Sequence, residues 1–407
     1  MVTAGILTGV KVVDLSRVLA GPWCTQSLAD MGATVFKIER LGTGDEMRQS
    51  PPFLKNAKGV TGNDTTSYVC VNRGKKSLTI DFTQPAGRRL LLDLVARCDV
   101  LVENFKAGDL QRYGLDYASV CKVNPSIVYC SITGYGQDGP MAEQPGYDPV
   151  FQAISGLMST CGLPDGVPGG GPMRAMVPIV DVMTGMVSTS AVLAALLHRK
   201  NTGEGQHLDI ALLDVAMAAS VHLGQTHLTT GKLPQRAGNG SLLFAPANCF
   251  PCVEGHIFIQ IGNDVQWSRL CKCLGREDWL ADPRYVKNAQ RMAHKQELDG
   301  LLSAITRGWD KQALSDKLGA AGVPCGPVNN LEQAFAHPQV QHRGLRVELD
   351  HPEYGKLDVI RSPLRFSRTP VAHRIPPALG ADTAQVLASE LGIDAAQYEQ
   401  FQSDGLV

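Results

Sequence analysis

The sequence has almost no excess of charge in either sense. A formal net charge of -1 on 407 residues gives no electrostatic reason to expect a nucleic acid or an anionic membrane as partner. Its 11 cysteines are too few and too scattered for a disulfide scaffold. No Cys-x-x-Cys pair has a second pair at zinc-finger spacing, so reduced thiols in a cytosolic protein are the expectation. Several short signatures are also missing. The turn after the first apolar run is neither Gly-x-Gly-x-x-Gly nor a Walker A loop, and no Gly-x-Ser-x-Gly elbow offers a hydrolase serine. His207, His222 and His227 have no acid at metal-ligand spacing, so no metal site is expected. The start of the chain, Met1 to Lys11, holds neither a charged segment leading into an apolar one nor an Arg-rich amphipathic stretch. The expected location is the cytoplasm, or the mitochondrial matrix if a leader has been removed.

One stretch, Ile179 to Leu197, is apolar enough to raise the question of a membrane. It contains Asp181, Thr184 and three hydroxyl residues from Ser188 to Ser190, its length is marginal for a span of about 20 residues, and no second candidate accompanies it. A buried helix beside a site is the better reading, with no membrane partner.

What is present is an alternation of short apolar runs with amphipathic stretches. Runs at 10–15, 33–39, 77–82, 99–103 and 126–132 read as buried strands, and the intervening segments, such as 84–96, carry helical periodicity. That alternation predicts a parallel α/β sheet. Residues 162–172 (GLPDGVPGGGP) read as a loop, followed by a helix over 182–198, a strand at 207–211 and a helix to about 228. From Asn248 the pattern is a hairpin, then helices to about Gly319, with Pro324 to Pro327 as a compact linker. At this length two domains are expected. They are a large domain from 1–227, a smaller α+β domain at 228–325, and a linker and C-terminal part over 326–407 that completes the large domain.

Cations and one amide–aromatic pair recur at strand ends: Arg17, Arg40, Arg73 with Lys75 and Lys76, Asn104-Phe105, and Arg112. In a parallel sheet the carboxyl ends of the strands line one edge, where ligands bind, so Arg17, Arg40 and Asn104-Phe105 are candidates to converge on one polyanion. Arg forks suit phosphate, and Phe105 can stack on a base. Asp181 is the one acid inside the long apolar segment. It reads equally as a helix N-cap and as a nucleophilic carboxylate. The two are compatible, because a helix N-terminus favours an anion. Asp148, Asp209 and Asp214 are rival acids, and Cys24 and Cys161 lie near turns where a reactive thiol is conceivable.

Taken in order, residues 14–22 (DLSRVLAGP), 37–40 (KIER), 72–77 (NRGKKS), 102–105 (VENF), 131–136 (SITGYG), 146–148 (GYD) and 181–185 (DVMTG) resemble the class III coenzyme A transferases. That group includes the formyl-CoA:oxalate and carnitine enzymes. The similarity runs from about residue 6 to 405. The resemblance implies a Rossmann-like large domain and an interlocked homodimer, each chain a ring threaded through the other. CoA thioesters would be substrates and no cofactor would be tightly bound. It places Asp181 as the catalytic carboxylate and carries CoA contacts onto Arg17, Val18, Arg40, Asn104, Phe105 and Arg112. Tyr147 and Asp148 match an active-site pair. A lysine of the formyl-CoA enzymes beyond strand three is Thr83 here. The runs at 131–140 and 322–330 most resemble the branch acting on succinate and hydroxymethylglutarate, which implies succinyl-CoA as donor and a dicarboxylic acid as acceptor. Two rivals share the scaffold. An α-methylacyl-CoA racemase uses a histidine where Tyr147 stands, and tyrosine is a poor base near neutral pH. A non-catalytic acyl-CoA-binding protein would have no use for Asp181.

Overall fold

The fold was analysed in a computed structural model that describes residues 5–56 and 58–407. By their contacts these form two compact units, one of Met1–Gly156, Ala175–Gln225 and Gln339–Val407, the other of Leu157–Arg174 and Thr226–Pro338.

The first unit is built on a six-stranded sheet. Its strands are β1 (Lys11–Asp14), β2 (Thr34–Glu39), β3 (Lys76–Thr79), β4 (Val100–Glu103), β5 (Val128–Thr133) and β6 (Gln206–Ala211). Every pairing is parallel and the spatial order is 3-2-1-4-5-6, the mononucleotide-binding arrangement whose order reverses between β1 and β4. The strands at the centre are buried throughout because helices cover both faces: β4 is buried at all four positions and β5 at all six. Val13, Phe36, Leu78, Leu101 and Tyr129 carry one face into a core shared with Leu91 and Leu94 of α2 (Pro85–Val95). Outside this sheet, Phe53–Lys55 and Thr61–Thr65 form a small antiparallel ribbon, and Arg346–His351 pairs with Gly355–Ile360 as a hairpin.

Helix α1 (Ala20–Asp30) joins β1 to β2. Helices α3 (Tyr117–Val123), α4 (Asp148–Ile154) and α5 (Ile179–Thr202) follow in sequence. The last is the long apolar segment, and it begins three residues before the expected start, so that Asp181 lies inside the helix. Among the described residues it is the one helix long and apolar enough to cross a membrane. It packs instead along α1 and over β5 and β6. Gly185 makes the crossing with α1 possible: a Cβ there would stand 2.7 Å from the Ala20 carbonyl oxygen and 2.9 Å from Trp23.

The second unit has its own core. Strands β7 (Ala247–Pro251), β8 (His256–Gln260) and β9 (Cys325–Pro327) form an antiparallel sheet in the order 9-8-7. Helices α6 (Asp264–Cys273), α7 (Lys295–Thr306) and α8 (Lys311–Ala320) close over it. Trp267 and Trp279 stack at 5.9 Å, with the fully buried Arg291 guanidinium 5.0 Å from the Trp267 ring. The segment read as a linker, Pro324 to Pro327, is therefore in part an edge strand. Two prolines hide a three-residue strand from any pattern, and an edge position tolerates them.

Candidate active site

The reversal point between β1 and β4 is where the sheet opens, and two turns meet there. Arg17 donates its backbone N–H to Asn104 Oδ1 at 2.8 Å, and Asn104 returns its amide to the Arg17 carbonyl at 2.7 Å. The following residue, Val18, has φ +68, a left-handed conformation that a β-branched side chain adopts only under constraint. The constraint is visible. Val18 N–H donates to Asp45 Oδ1 at 3.2 Å, and the buried Lys37 bridges the Ser16 carbonyl (3.0 Å) and Asp45 Oδ2 (2.9 Å). The turn is thus fixed from below while its outer face stays open. Helix α1 starts just beyond it with no side-chain cap and no acid in its first turn, a free positive helix end.

Outside this turn lies a cleft of about 350 Å³ lined by Arg17, Arg40, Phe105 and Arg112, together with Phe82 and Tyr113. Four of the expected CoA contacts thus share one cavity, while Val18 through its backbone N–H and Asn104 through its side-chain amide hold the turn beneath it. The Arg17 guanidinium sits 4.8 Å from the centre of the Phe105 ring and is ion-paired with Glu46. Arg40 is exposed and has no ion-pair partner among the described residues. Phe82 meets Phe105 and Tyr113 edge-on at 6.1 and 5.6 Å, and Arg112 lies 4.9 Å from Tyr113. Three cations over an aromatic wall suit a phosphate-bearing aromatic group. Thr83 also lines the cleft, with its hydroxyl and N–H turned onto Asp81 Oδ1. Phe82 and Tyr113 went unremarked in the sequence, although Phe82 follows β3 and the strand-end rule extends to it. Arg73 and Lys75 do not reach this edge. They precede β3, where Lys75 pairs with Asp14 at 2.9 Å and Arg73 lies 3.6 Å from Asp30, all of them buried.

Asp181, Asp148 and Tyr147 do not line that cleft and form a second group. The capping role expected of Asp181 as one of two readings belongs to Asp148. Its Oδ2 accepts from Val180 N–H (2.7 Å) and Asp181 N–H (3.1 Å), and its Oδ1 accepts from Gln152 Nε2 (2.5 Å). Gln152 in turn bonds both backbone groups of Ala175. The Asp181 side chain is left over. Among the described residues it has no hydrogen-bond or ion-pair partner, and burial, then the Asp148 charge, pushes its carboxyl up to about 7. A poorly solvated carboxylate with no partner is a strong nucleophile. The first-turn N–H groups of α5 are all engaged, with Ile179 donating to Val177 and Val182 to Pro178. They are not free to receive an oxyanion, contrary to the simplest reading of a helix start. Tyr147 precedes Asp148 and is 72% exposed.

The remaining candidates drop away on their surroundings. Asp209 is exposed and accepts from Gln137 N–H at 3.0 Å, and Asp214 lies in the first turn of the helix Leu212–Ala218. Cys24 is fully buried, which pushes its thiol up to about 12 and makes it inert. Among the described residues no group of three or more His, Cys, Asp or Glu side chains is placed to hold a metal ion.

The sequence model of CoA-transferase family III matches residues 7–383. The chain belongs to CoA-transferase family III. It is similar to a succinate–glutarate CoA-transferase of Agrobacterium fabrum, 44% identical over 94% of this chain and 95% of that one. A human succinyl-CoA:glutarate CoA-transferase is 37% identical over 98% of this chain and 90% of that one. Among solved structures, a CAIB/BAIF family protein from Brucella suis superposes with a TM-score of 0.85 at 38% identity, covering 95% of this chain and 100% of that one. As a family III CoA-transferase, the protein moves CoA between acyl-CoA thioesters and carboxylic acids.

Proposed function

We propose that this CoA-transferase uses Asp181 as its covalent carrier, with succinyl-CoA as donor and a dicarboxylic acid of glutarate size as acceptor. The observation that carries the first half is the division of labour at the start of α5. Asp148 satisfies the helix end, and the Asp181 carboxylate, raised by burial and by Asp148, is free to react. The two relatives named for succinate and glutarate support the second half.

The steps are these. A carboxylate oxygen of Asp181 attacks the donor thioester carbonyl, the C–S bond breaks, and CoA leaves as thiolate from a mixed anhydride. The thiolate then attacks the aspartyl carbonyl of that anhydride, giving an aspartyl-CoA thioester and releasing the donor acid as its carboxylate. The acceptor carboxylate attacks this thioester, and the same two steps run backwards to give the new acyl-CoA. No net proton is consumed. While the acyl group changes hands, Arg17, Arg40, Arg112 and Phe105 hold the nucleotide end of CoA in their cleft, and Val18 and Asn104 keep its floor in place. Tyr147, exposed beside Asp148, is available to the substrate but is no base for racemisation. The working form is an interlocked homodimer. An apolar stripe left on α5 supports this, with Met186 57% and Leu197 62% exposed.

Asp181→Ala is expected to abolish exchange, by at least about a thousandfold, while CoA binding persists. Hydroxylamine added during turnover should convert Asp181 to its hydroxamate, detectable by peptide mass spectrometry. Normal turnover in the variant, or an unmodified Asp181 under active turnover, would remove the carrier role. A panel of acceptor acids with succinyl-CoA, read by mass spectrometry of the product thioesters, decides the acceptor.

A further inference from the structure

Behind the cleft lies a buried acid that the transfer steps do not use. Glu103 is the last residue of β4, 4% exposed, one position before Asn104 and two before Phe105. Its Oε2 accepts the Phe105 backbone N–H at 2.8 Å. Ser131, directly across the sheet as the register partner of Glu103 in β5, places its hydroxyl beside the same carboxyl and favours its charged form. Ser131 is itself buried and lies 2.9 Å from His207 Nε2 on β6. The imidazole is clamped between Tyr117, stacked at 5.1 Å, and the edge of Tyr129. Three adjacent strands thus contribute one link each to a chain that ends on the backbone of the residue against which Arg17 lies.

We propose that Glu103 is a positioning residue of the CoA cleft: its carboxyl, tied through Ser131 to His207, holds the Phe105 N–H and so sets the ring that receives the nucleotide end of CoA. This rests on the reading of the Arg17–Phe105 cleft as the CoA site. The chain has two self-consistent polarities. With Glu103 ionised, the Ser131 hydroxyl donates to it and accepts from His207 Nε2–H. With Glu103 protonated, Glu103 donates to Ser131, which donates to an Nε2 that has lost its proton to the other tautomer. In both, Oε2 still faces the Phe105 N–H. No hydrogen bond is forfeited when the charge changes.

The charges facing Glu103 couple its protonation to CoA. Burial pushes its carboxyl up to about 7 against the bonds from Ser131 and Phe105, and Asp209 on β6 and Asp109 beyond Phe105 add to the rise. His207, half-buried near Asp209, is held below its ordinary value by that burial. A polyanion arriving in the cleft raises Glu103 further, and the site takes up a proton from solvent as CoA binds. Affinity therefore falls as pH rises through neutrality.

The test is CoA binding by calorimetry on the full chain, with Asp181→Asn as the common background so that its own titration does not enter. Glu103→Ala should weaken binding by about 10–100-fold, the fold-change of an orphaned buried N–H and a released loop. Glu103→Gln keeps a carbonyl oxygen for the Phe105 N–H and should restore affinity to within about threefold while flattening its dependence between about pH 6 and pH 8 relative to the background. Wild-type affinity in Glu103→Ala overturns the proposal, as does a Glu103→Gln variant as weak as Glu103→Ala, which would make the charge and not the acceptor the requirement. Arg17→Ala and Phe105→Ala separate this from the underlying reading. If both bind CoA normally, the cleft is not the CoA site and the proposal falls with it. If both weaken binding and Glu103→Ala does not, only the positioning role fails.

Discussion

At the scale of single residues, the decisive fact is which of two aspartates caps α5. From the sequence Asp181 reads as cap or nucleophile with equal justice, because both roles place an acid at a helix start. The cap falls to Asp148, which lies 33 positions away and whose bonds to Val180 and Asp181 no local pattern could announce. The consequence is measurable. In the proposed mechanism Asp181 acts when ionised, and burial followed by the charge of Asp148 raises its carboxyl to about 7. At saturating acyl-CoA, where affinity does not enter, turnover should rise with pH and reach half its plateau at about 7 or above. Asp148→Asn removes the neighbouring charge but leaves an oxygen to cap the helix, so the midpoint should move down by roughly a unit and still stay above an ordinary aspartate, because burial remains. A pH–rate profile of the two proteins checks this. An unmoved midpoint would mean that Asp148 acts on the helix alone.

At the scale of elements, the parallel strands were legible because burial on both faces removes the alternation that makes a strand ambiguous. The runs at β1, β2, β4 and β5 needed only their apolar length and the helical periods between them. Short or punctuated elements were not legible. Strand β9 is three residues that end on a proline and follow another, and α5 starts three residues before the expected 182, because Asp148 supplies its cap from a distance. The crossing of α1 and α5 is another tertiary fact written as a single letter. In isolation, Gly185→Ala should favour the helix by about 1 kcal/mol. Here the added Cβ would stand 2.7 Å from the Ala20 carbonyl oxygen, a backbone atom that cannot turn aside, and overpacking of that kind costs about 1–3 kcal/mol. The clash wins, so Gly185→Ala should lower the denaturant midpoint, with Gly185→Val lower still. A variant more stable than the parent would show that the two helices separate at little cost.

At the scale of the whole molecule, the sequence placed the strand-end cations on one edge because a parallel sheet has only one such edge. It could not show that Arg73 and Lys75, ahead of β3, turn inward to Asp30 and Asp14, nor that residues 157–174 belong by their contacts with the second unit. Both depend on the path of the chain after it folds. The same holds for the stripe on α5. Met186, Ser190, Leu193 and Leu197 follow helical spacing along one face, and the first three line a cavity of about 500 Å³ with Leu357, Val359 and Phe366. Met186 and Leu197 are more than half exposed, on a helix whose length and composition would also suit a membrane. An apolar surface of this extent calls for a partner, and the proposed homodimer supplies one. Without detergent the protein should therefore sediment at twice the mass of one chain. Met186→Glu combined with Leu197→Glu would bury two unpaired carboxylates in such an interface, so the double variant should sediment as a folded monomer and lose transfer activity. If it remains a dimer with full activity, this face of α5 lies outside the interface. If the parent is monomeric and partitions onto lipid vesicles, the stripe meets a bilayer instead of a second chain.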